Sequence, residues 1–328
     1  MTDAETAQLH HDLGGAHKIA GRLQAAEQAF RAALALEPGR ADSRWALGTV
    51  LLAQGRFAEG YPLMEARHEV ATFRKRRPDL PYPEWFGEEV AGKQILIWPE
   101  QGFGDQIQSA RFAPLLREMG ADVTLLCSPV LFRLFGRLGV NVIAASGAVA
   151  FPDPDGWVMS ESIAGRLGLT PDTLPNRPYL AVPEPIRKRG GLRVGLATSG
   201  NPTHANDAWR SLPASGAARL RGLPAEVVSL HPEDSGARDF LDTAEIVAGV
   251  DLVVSVDTAA AHLAGAMGKP CWVLVPAHNT DWRWMTGRTD SPWYPSLRLF
   301  RQGAPGDWGP VLDAVEAGVA RLAAQAAG

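Results

Sequence analysis

The sequence holds two cysteines in 328 residues, Cys127 and Cys271, each inside an apolar segment. Two such thiols cannot build a disulfide framework, and a reducing cytoplasm is the expected setting. No run approaches the roughly 18 consecutive apolar residues needed to span a bilayer. The opening MTDAETAQLHHDLGG has neither a basic start nor an apolar stretch, so no secretory signal is expected. Excess positive charge is missing too: 32 Lys+Arg stand against 36 Asp+Glu, for a net charge of −4. General affinity for nucleic acid needs a clustered basic surface, so no such partner is expected. There is no His/Cys cluster at zinc spacing, no Walker loop and no G-x-S-x-G elbow. Asp153-Pro154-Asp155-Gly156 contains a D-x-D, a spacing that can hold a divalent metal. Pro-Asp-Gly there reads better as a turn, and no metal site is expected.

What is present is an ordinary globular composition, 46% hydrophobic and 21% charged. The length suggests two domains with an appendage. The appendage carries an internal repeat. Shifted by 34 residues, Leu13-Gly14 falls on Leu47-Gly48, Gly21-Arg22 on Gly55-Arg56, Phe30 on Met64 and Ala26 on Gly60. This is the tetratricopeptide period. Ala33 and Pro38 stand where that repeat places a small residue and a helix stop. The second copy degenerates after Met64, with Arg67 where a small residue is expected. Two repeats are too few for a free solenoid, which needs at least about three. A helical cap over residues 1–78, packed on the next domain, is expected; a docking surface for a protein partner is the sharper alternative. The basic run Arg74–Arg77 and the prolines after it read as a solvated linker, with Pro81–Trp85 an extended tether.

From Lys93 the pattern becomes strand–helix alternation, which argues for a parallel sheet with helices on its faces. Strands are expected at 95–98, 123–127, 140–144 and 157–159, with helices over 105–119 and 131–138. A second series follows the Pro- and Arg-rich stretch 182–189. Its strands are expected at 193–198, 227–230, 252–256, 272–275 and 297–300, with helices over 243–248, 258–267 and 309–325. The expected domains are 92–185 and 191–328, two Rossmann-like halves with a cleft between the carboxyl ends of their sheets.

Four segments at that cleft can carry chemistry. Ser255-Val256-Asp257-Thr258-Ala259-Ala260-Ala261-His262 is a buried strand running straight into a helix of small residues. The free N–H groups of Thr258, Ala259 and Ala260 and the helix dipole make an anion site suited to a diphosphate. Asp257 as a simple N-cap, with the alanines serving packing, fits equally well; His262 is either a ligand contact or a packed histidine. Thr198–Pro213 is a long polar loop in which Arg210 offers a fixed cation. His204, Asn206 and Asp207 either face the cleft or shape the loop. In Glu100-Gln101-Gly102-Phe103-Gly104-Asp105 the glycines turn the chain sharply and bring Asp105, with Gln101 and Gly104, to the sheet edge. Asp105 is either a helix N-cap or a base facing the cleft. Finally Asp281-Trp282-Arg283-Trp284 and Asp290–Pro295 form an aromatic loop. Trp282 is a possible cleft residue, though such clusters are more often packed.

Taken together, EQGFGDQIQSARFAPLL, SGNPTHANDAWRSLP, SVDTAAAHLAGAMGKPCWVLVP, DWRW and DSPWYPSLRLFRQ after tetratricopeptide repeats resemble bacterial tetratricopeptide-linked glycosyltransferases. The catalytic part is similar to the lipopolysaccharide heptosyltransferases. The resemblance implies an α/β GT-B fold, two Rossmann-like domains behind an all-α cap. It further implies a nucleotide-sugar donor in the C-terminal half and a protein or glycan acceptor met by the N-terminal half. No cofactor is implied, since the nucleotide-sugar is a substrate. Asp105 matches the aspartate of the G-x-G-D turn and is implied to be the general base. Arg210 falls where heptosyltransferases carry a phosphate-binding lysine. Thr258, Ala259 and Ala260 match the diphosphate-holding backbone, completed by Asp257 and His262. The sequence departs from the pattern at Thr198-Ser199 and at Trp209. A catalytically degenerate scaffold that binds a partner through the cap is the competing expectation.

Overall fold

The computed structural model describes residues 2–73, 77–184 and 191–327. Of the basic run only Arg77 is described, and of the expected interdomain linker only 182–184; the rest of both lies outside the described residues. Four helices open the chain: α1 (Asp3–Ile19), α2 (Leu23–Leu36), α3 (Ala41–Ala53) and α4 (Phe57–Met64). Thr2 caps α1, accepting from the Glu5 N–H at 3.2 Å while Glu5 accepts from the Thr2 N–H at 2.7 Å. The 34-residue register is visible in the turns. Gly21 and Gly55 take positive φ (72° and 81°), which a Cβ would disfavour. The next residues, Arg22 and Arg56, donate back to His17 and Leu51 at 2.9 Å. The same helix-stop geometry thus recurs one repeat later.

Two parallel sheets follow. The first contains β1 (Gln94–Trp98), β2 (Asp122–Cys127), β3 (Asn141–Ala144) and β4 (Gly156–Met159), in the order β3-β2-β1-β4. Its helices are α5 (Phe103–Ser109), α6 (Phe112–Glu118), α7 (Phe132–Phe135) and α8 (Ile163–Arg166). The second sheet contains β5 (Arg193–Ala197), β6 (Glu226–Ser229), β7 (Leu252–Val256), β8 (Cys271–Val275) and β9 (Leu297–Arg301), in the order β6-β5-β7-β8-β9. Around it lie α9 (Asp207–Arg210), α10 (Ala214–Arg221), α11 (Pro232–Ser235), α12 (Phe240–Ala248), α13 (Ala259–Ala266) and α14 (Gly309–Ala327). Central strands such as β7 are buried along their whole length, as expected when helices cover both faces.

Two helical expectations are corrected. The helix expected over 105–119 is two helices, interrupted at Ala110-Arg111. The buried Arg111 guanidinium donates to the carbonyls of Gln108 (2.8 Å), Pro175 (3.0 Å) and Trp293 (2.8 Å), and lies 4.5 Å from the Tyr294 ring centre. Pro175 and Trp293 lie far along the chain, and their carbonyls hold the side chain at the break. The helix expected over 131–138 shrinks to a 3-10 turn, Pro129–Leu131, followed by the single turn of α7.

The cap packs on both halves. Arg67, fully buried, forks onto Glu100 at the end of β1 (2.9 and 3.0 Å) and also donates to Ser162 at 2.8 Å. Arg166 of α8 reaches Glu65 of the cap at 2.8 Å, and Arg77 reaches Glu65 at 2.9 Å. On the other side, the Ile19 carbonyl accepts from Asn279 (2.9 Å) and the Ala53 carbonyl from Thr286 (3.1 Å). Breaking a buried pair by removing one partner leaves an uncompensated charge, at a cost of about 3–5 kcal/mol. Glu100→Gln is therefore expected to lower stability by about that amount in urea unfolding. An unchanged unfolding midpoint would contradict the assignment.

Candidate functional site

Ligands of open α/β sheets bind where the strand order reverses, outside the carboxyl ends. The order β6-β5-β7 puts that point at the ends of β5 and β7. β5 runs into the polar loop 198–211, and β7 runs into Asp257-Thr258 and α13. In the first sheet the reversal lies between β1 and β4. These strands lead to Glu100-Gln101 and to Ser160-Glu161. Both points open into one cleft of about 890 Å³.

On the C-terminal side, Thr258 is the N-cap of α13 and its side chain makes no capping hydrogen bond. The Asp257 carboxylate therefore does not cap the helix, a correction to that alternative, and Thr258, Ala259 and Ala260 all line the cleft. Arg210 is fixed by Asp207 (3.2 Å) and by donation to the Asp257 carbonyl (2.9 Å). Gly200 makes room for it, since a Cβ there would lie 2.5 Å from its guanidinium. Asp207 itself holds Arg210 rather than lining the cleft; His204 and Asn206 do line it. His204 Nδ1 accepts from the Asn206 N–H at 3.1 Å, and the Asn206 amide donates to the Asn279 carbonyl at 3.0 Å. Burial, and then nearby Arg210, lower the His204 pKa. Trp209 stands exposed and stacked on His278, ring centres 3.9 Å apart.

On the N-terminal side, Asp105 is the third residue of α5, not its N-cap. One carboxylate oxygen accepts from the Gly102 N–H at 3.0 Å, and the other meets Arg283 at 2.9 Å. Burial pushes its pKa up to about 6 against the opposing pull of Arg283. Gln101, in the left-handed region at φ 49°, donates to Glu161 at 2.7 Å. Gly104 is a point of close approach between the halves: a Cβ there would sit 2.9 Å from the His262 ring and 3.4 Å from the Ala259 Cα. His262 is packed as well as cleft-lining. It faces Tyr294 Oη at 3.1 Å and stacks on Trp284 at 5.1 Å. Burial, reinforced by Arg283, lowers its pKa to about 3, so it is neutral at pH 7.

The residue that ties these parts together is Arg283, which the sequence reading did not single out. It is buried, and meets Asp105 (2.9 Å), Glu161 (2.7 Å), Asp281 (3.2 Å) and Gln108 (2.7 Å). Its signal lay in D-W-R-W, but its partners come from 105, 108 and 161. Glu161 was missed for the same reason. Trp282 lines the cleft and also packs edge-on against Phe57, Tyr61 and Trp293. The cap contributes Lys18, Trp45, Thr49 and Met64 to the cleft, which was not expected. Among the described residues, no group of three or more His, Cys, Asp or Glu could hold a metal ion, and no helix is long and apolar enough to cross a membrane.

Two Rossmann-like parallel sheets facing a shared cleft behind a tetratricopeptide cap define the class: an α/β protein of two open sheets with an all-α repeat cap. Residues 19–66 match the tetratricopeptide repeat family. The chain is similar to Protein FlbA of Caulobacter vibrioides, 28% identical over 373 aligned positions, covering 97% of this chain and 62% of that protein. It thus spans less than two thirds of that relative's length. Among solved structures, a glycosyl transferase family 9 protein from Veillonella parvula matches at 11% identity and TM-score 0.49, covering 73% of this chain and 98% of that one. Escherichia coli ADP-heptose lipopolysaccharide heptosyltransferase II matches at 14% identity and TM-score 0.42, covering 70% and 99%.

Asp257 gives a stability test. Burial, then like charge on Asp281, push its pKa up to about 7 from an ordinary 3.8. A raised carboxyl pKa means the folded state holds its proton longer than the unfolded chain. Its contribution is therefore complete below about pH 4 and is lost as pH rises through about 7. Asp257→Asn cannot ionise. Relative to the parent it should gain on the order of 1–3 kcal/mol between pH 4.5 and pH 8 in thermal melts. A pH-independent difference would refute the assignment.

Proposed function

We propose that the protein is a nucleotide-sugar-dependent glycosyltransferase that works with inversion and without a metal, on a protein, glycan or lipid hydroxyl. One observation carries the reading: the cleft brings an open helix N-terminus with an anchored arginine together with a half-buried, base-competent carboxylate from the opposite half. The donor diphosphate lies at Ala259 and Ala260, with Arg210 beside it and Asp257 and His262 shaping the floor. The acceptor hydroxyl approaches from the Asp105 side. Its oxygen bonds to the anomeric carbon while the carbon–oxygen bond to the diphosphate breaks. The proton passes to Asp105, and the electron pair leaves with the nucleoside diphosphate. Arg210 and the α13 N–H groups stabilise the charge that develops there. Attack from the face opposite the leaving group inverts the carbon.

Arg283 holds one Asp105 oxygen and so favours the ionised base against the pull of burial. The acid limb of the rate profile is therefore expected near pH 6: activity falls below it as Asp105 takes up a proton. General acid–base catalysis is worth roughly 10²–10⁴ in rate, and Asp105→Asn should lose that much turnover with nucleotide affinity nearly constant. A nucleotide panel read by calorimetry provides the first test. Arg210→Ala should weaken the best nucleoside diphosphate by about 10–100-fold, and a chelator should leave turnover intact. Were no nucleoside diphosphate to bind, the scaffold reading would stand instead.

A further inference from the structure

Four Lys or Arg side chains line the cleft: Lys18, Arg210, Arg238 and Arg283. Arg210 is paired with Asp207 at 3.2 Å, Arg238 with Asp242 at 2.8 Å, and Arg283 with three carboxylates. Lys18, near the end of α1 in the cap, is different. It is half-buried, and among the described residues none accepts a hydrogen bond from its ammonium or forms an ion pair with it; the opposing charge that acts on it is Asp281. A cation removed from water without a partner is costly, so this one is poised for an anion.

Its position is built. The neighbouring Ile19 carbonyl accepts from the N–H of Asn279 at 2.9 Å. Asn279 is itself held left-handed, at φ 47°. Its carbonyl accepts from Asn206, on the loop that carries Arg210. A continuous chain of hydrogen bonds therefore ties the end of α1 to the Arg210 loop, on the side of the cleft formed by the second sheet. Strain of this kind persists where surrounding structure over-determines it, and it concentrates at functional sites.

From this we infer that Lys18 is a second cation for the donor diphosphate, supplied by the tetratricopeptide cap, so that the phosphate site is complete only with the cap docked. The inference rests on the glycosyltransferase reading above. It gives the cap a direct role at the phosphates, separate from any partner docking. Lys18 enters as a point charge on a flexible stem, complementing the planar fork of Arg210.

The test uses the full chain, with inorganic pyrophosphate and the tightest-binding nucleoside diphosphate as probes. Lys18→Met keeps the stem and removes the charge. It should weaken both probes by roughly tenfold or more, and flatten the salt dependence of binding. Lys18→Arg should recover most of the affinity. A thermal melt checks that each variant is folded. Unchanged affinity for both probes in Lys18→Met, with Arg210→Ala impaired, overturns this inference alone. A loss confined to the acceptor KM, with pyrophosphate binding intact, also overturns it, because the charge then serves the acceptor. A parent protein that binds neither probe overturns the glycosyltransferase reading along with it.

Discussion

A guanidinium removed from water must be surrounded by acceptors, and Arg283 meets that demand with groups from both halves of the molecule. Asp281 is its neighbour in sequence; Asp105, Gln108 and Glu161 come from the first sheet. Removing any one carboxylate leaves the others to satisfy a buried charge, so the halves are held in one relation. The constraint propagates outward. Glu161 holds Gln101, whose strained backbone starts the turn into α5. The same guanidinium lies 4.7 Å from the centre of the Trp282 ring, which packs on Phe57 and Tyr61 of the cap. The orientation of Asp105 is thus a consequence of the charge balance around one arginine.

The cap solves a related problem. Two tetratricopeptide units cannot bury their own apolar faces, because each repeat relies on a neighbour. Here the neighbours are the two Rossmann-like halves. The departure at Arg67 from the repeat pattern makes sense in that light. A small residue would suit a following repeat; an arginine suits the buried Glu100 at the end of β1. The same pair fixes the segment leading into the Gln101–Asp105 turn, since Glu100 also accepts from the Glu161 N–H at 3.1 Å. Cap docking and site geometry are therefore one structural problem.

The local features were legible. Short apolar runs bounded by Gly and Pro marked the strands: Leu252–Val256 lies where its run of Val and Leu placed it, and Cys271–Val275 begins just after Pro270. The repeat was legible because its turn chemistry needs glycine at 21 and 55. Features set by distant partners could not be read. Nothing near Arg111 signals that carbonyls at 175 and 293 will hold its side chain at the break. Nothing near Lys18 signals that α1 will end against residue 279. Glu161 sits in a stretch whose local pattern is unremarkable, and its importance arises only from the β1–β4 pairing that sets it beside the Glu100–Asp105 turn.

In the proposed reaction the cleft must receive a dianionic leaving group while already holding several carboxylates. Asp257 resolves part of this conflict. Burial and Asp281 hold its pKa near 7, so at neutral pH a large share of the molecules carry it protonated before any donor arrives. A diphosphate settling at α13 adds like charge nearby and raises that pKa further. Donor binding then draws a proton onto Asp257, and the charge entering the site is reduced by the same amount. Asp105 is stabilised in the opposite sense, because Arg283 opposes burial and keeps the carboxylate within reach of its ionised form. Both aspartates of the proposed site are pushed up by burial, Asp257 to about 7 and Asp105 to about 6, so Asp105 is the more readily ionised of the two. Burial raises both, Arg283 pulls on both and Asp281 pushes on both; the balance differs because Asp105 meets the Arg283 guanidinium directly at 2.9 Å, whereas Asp257 feels Asp281 more strongly than either arginine.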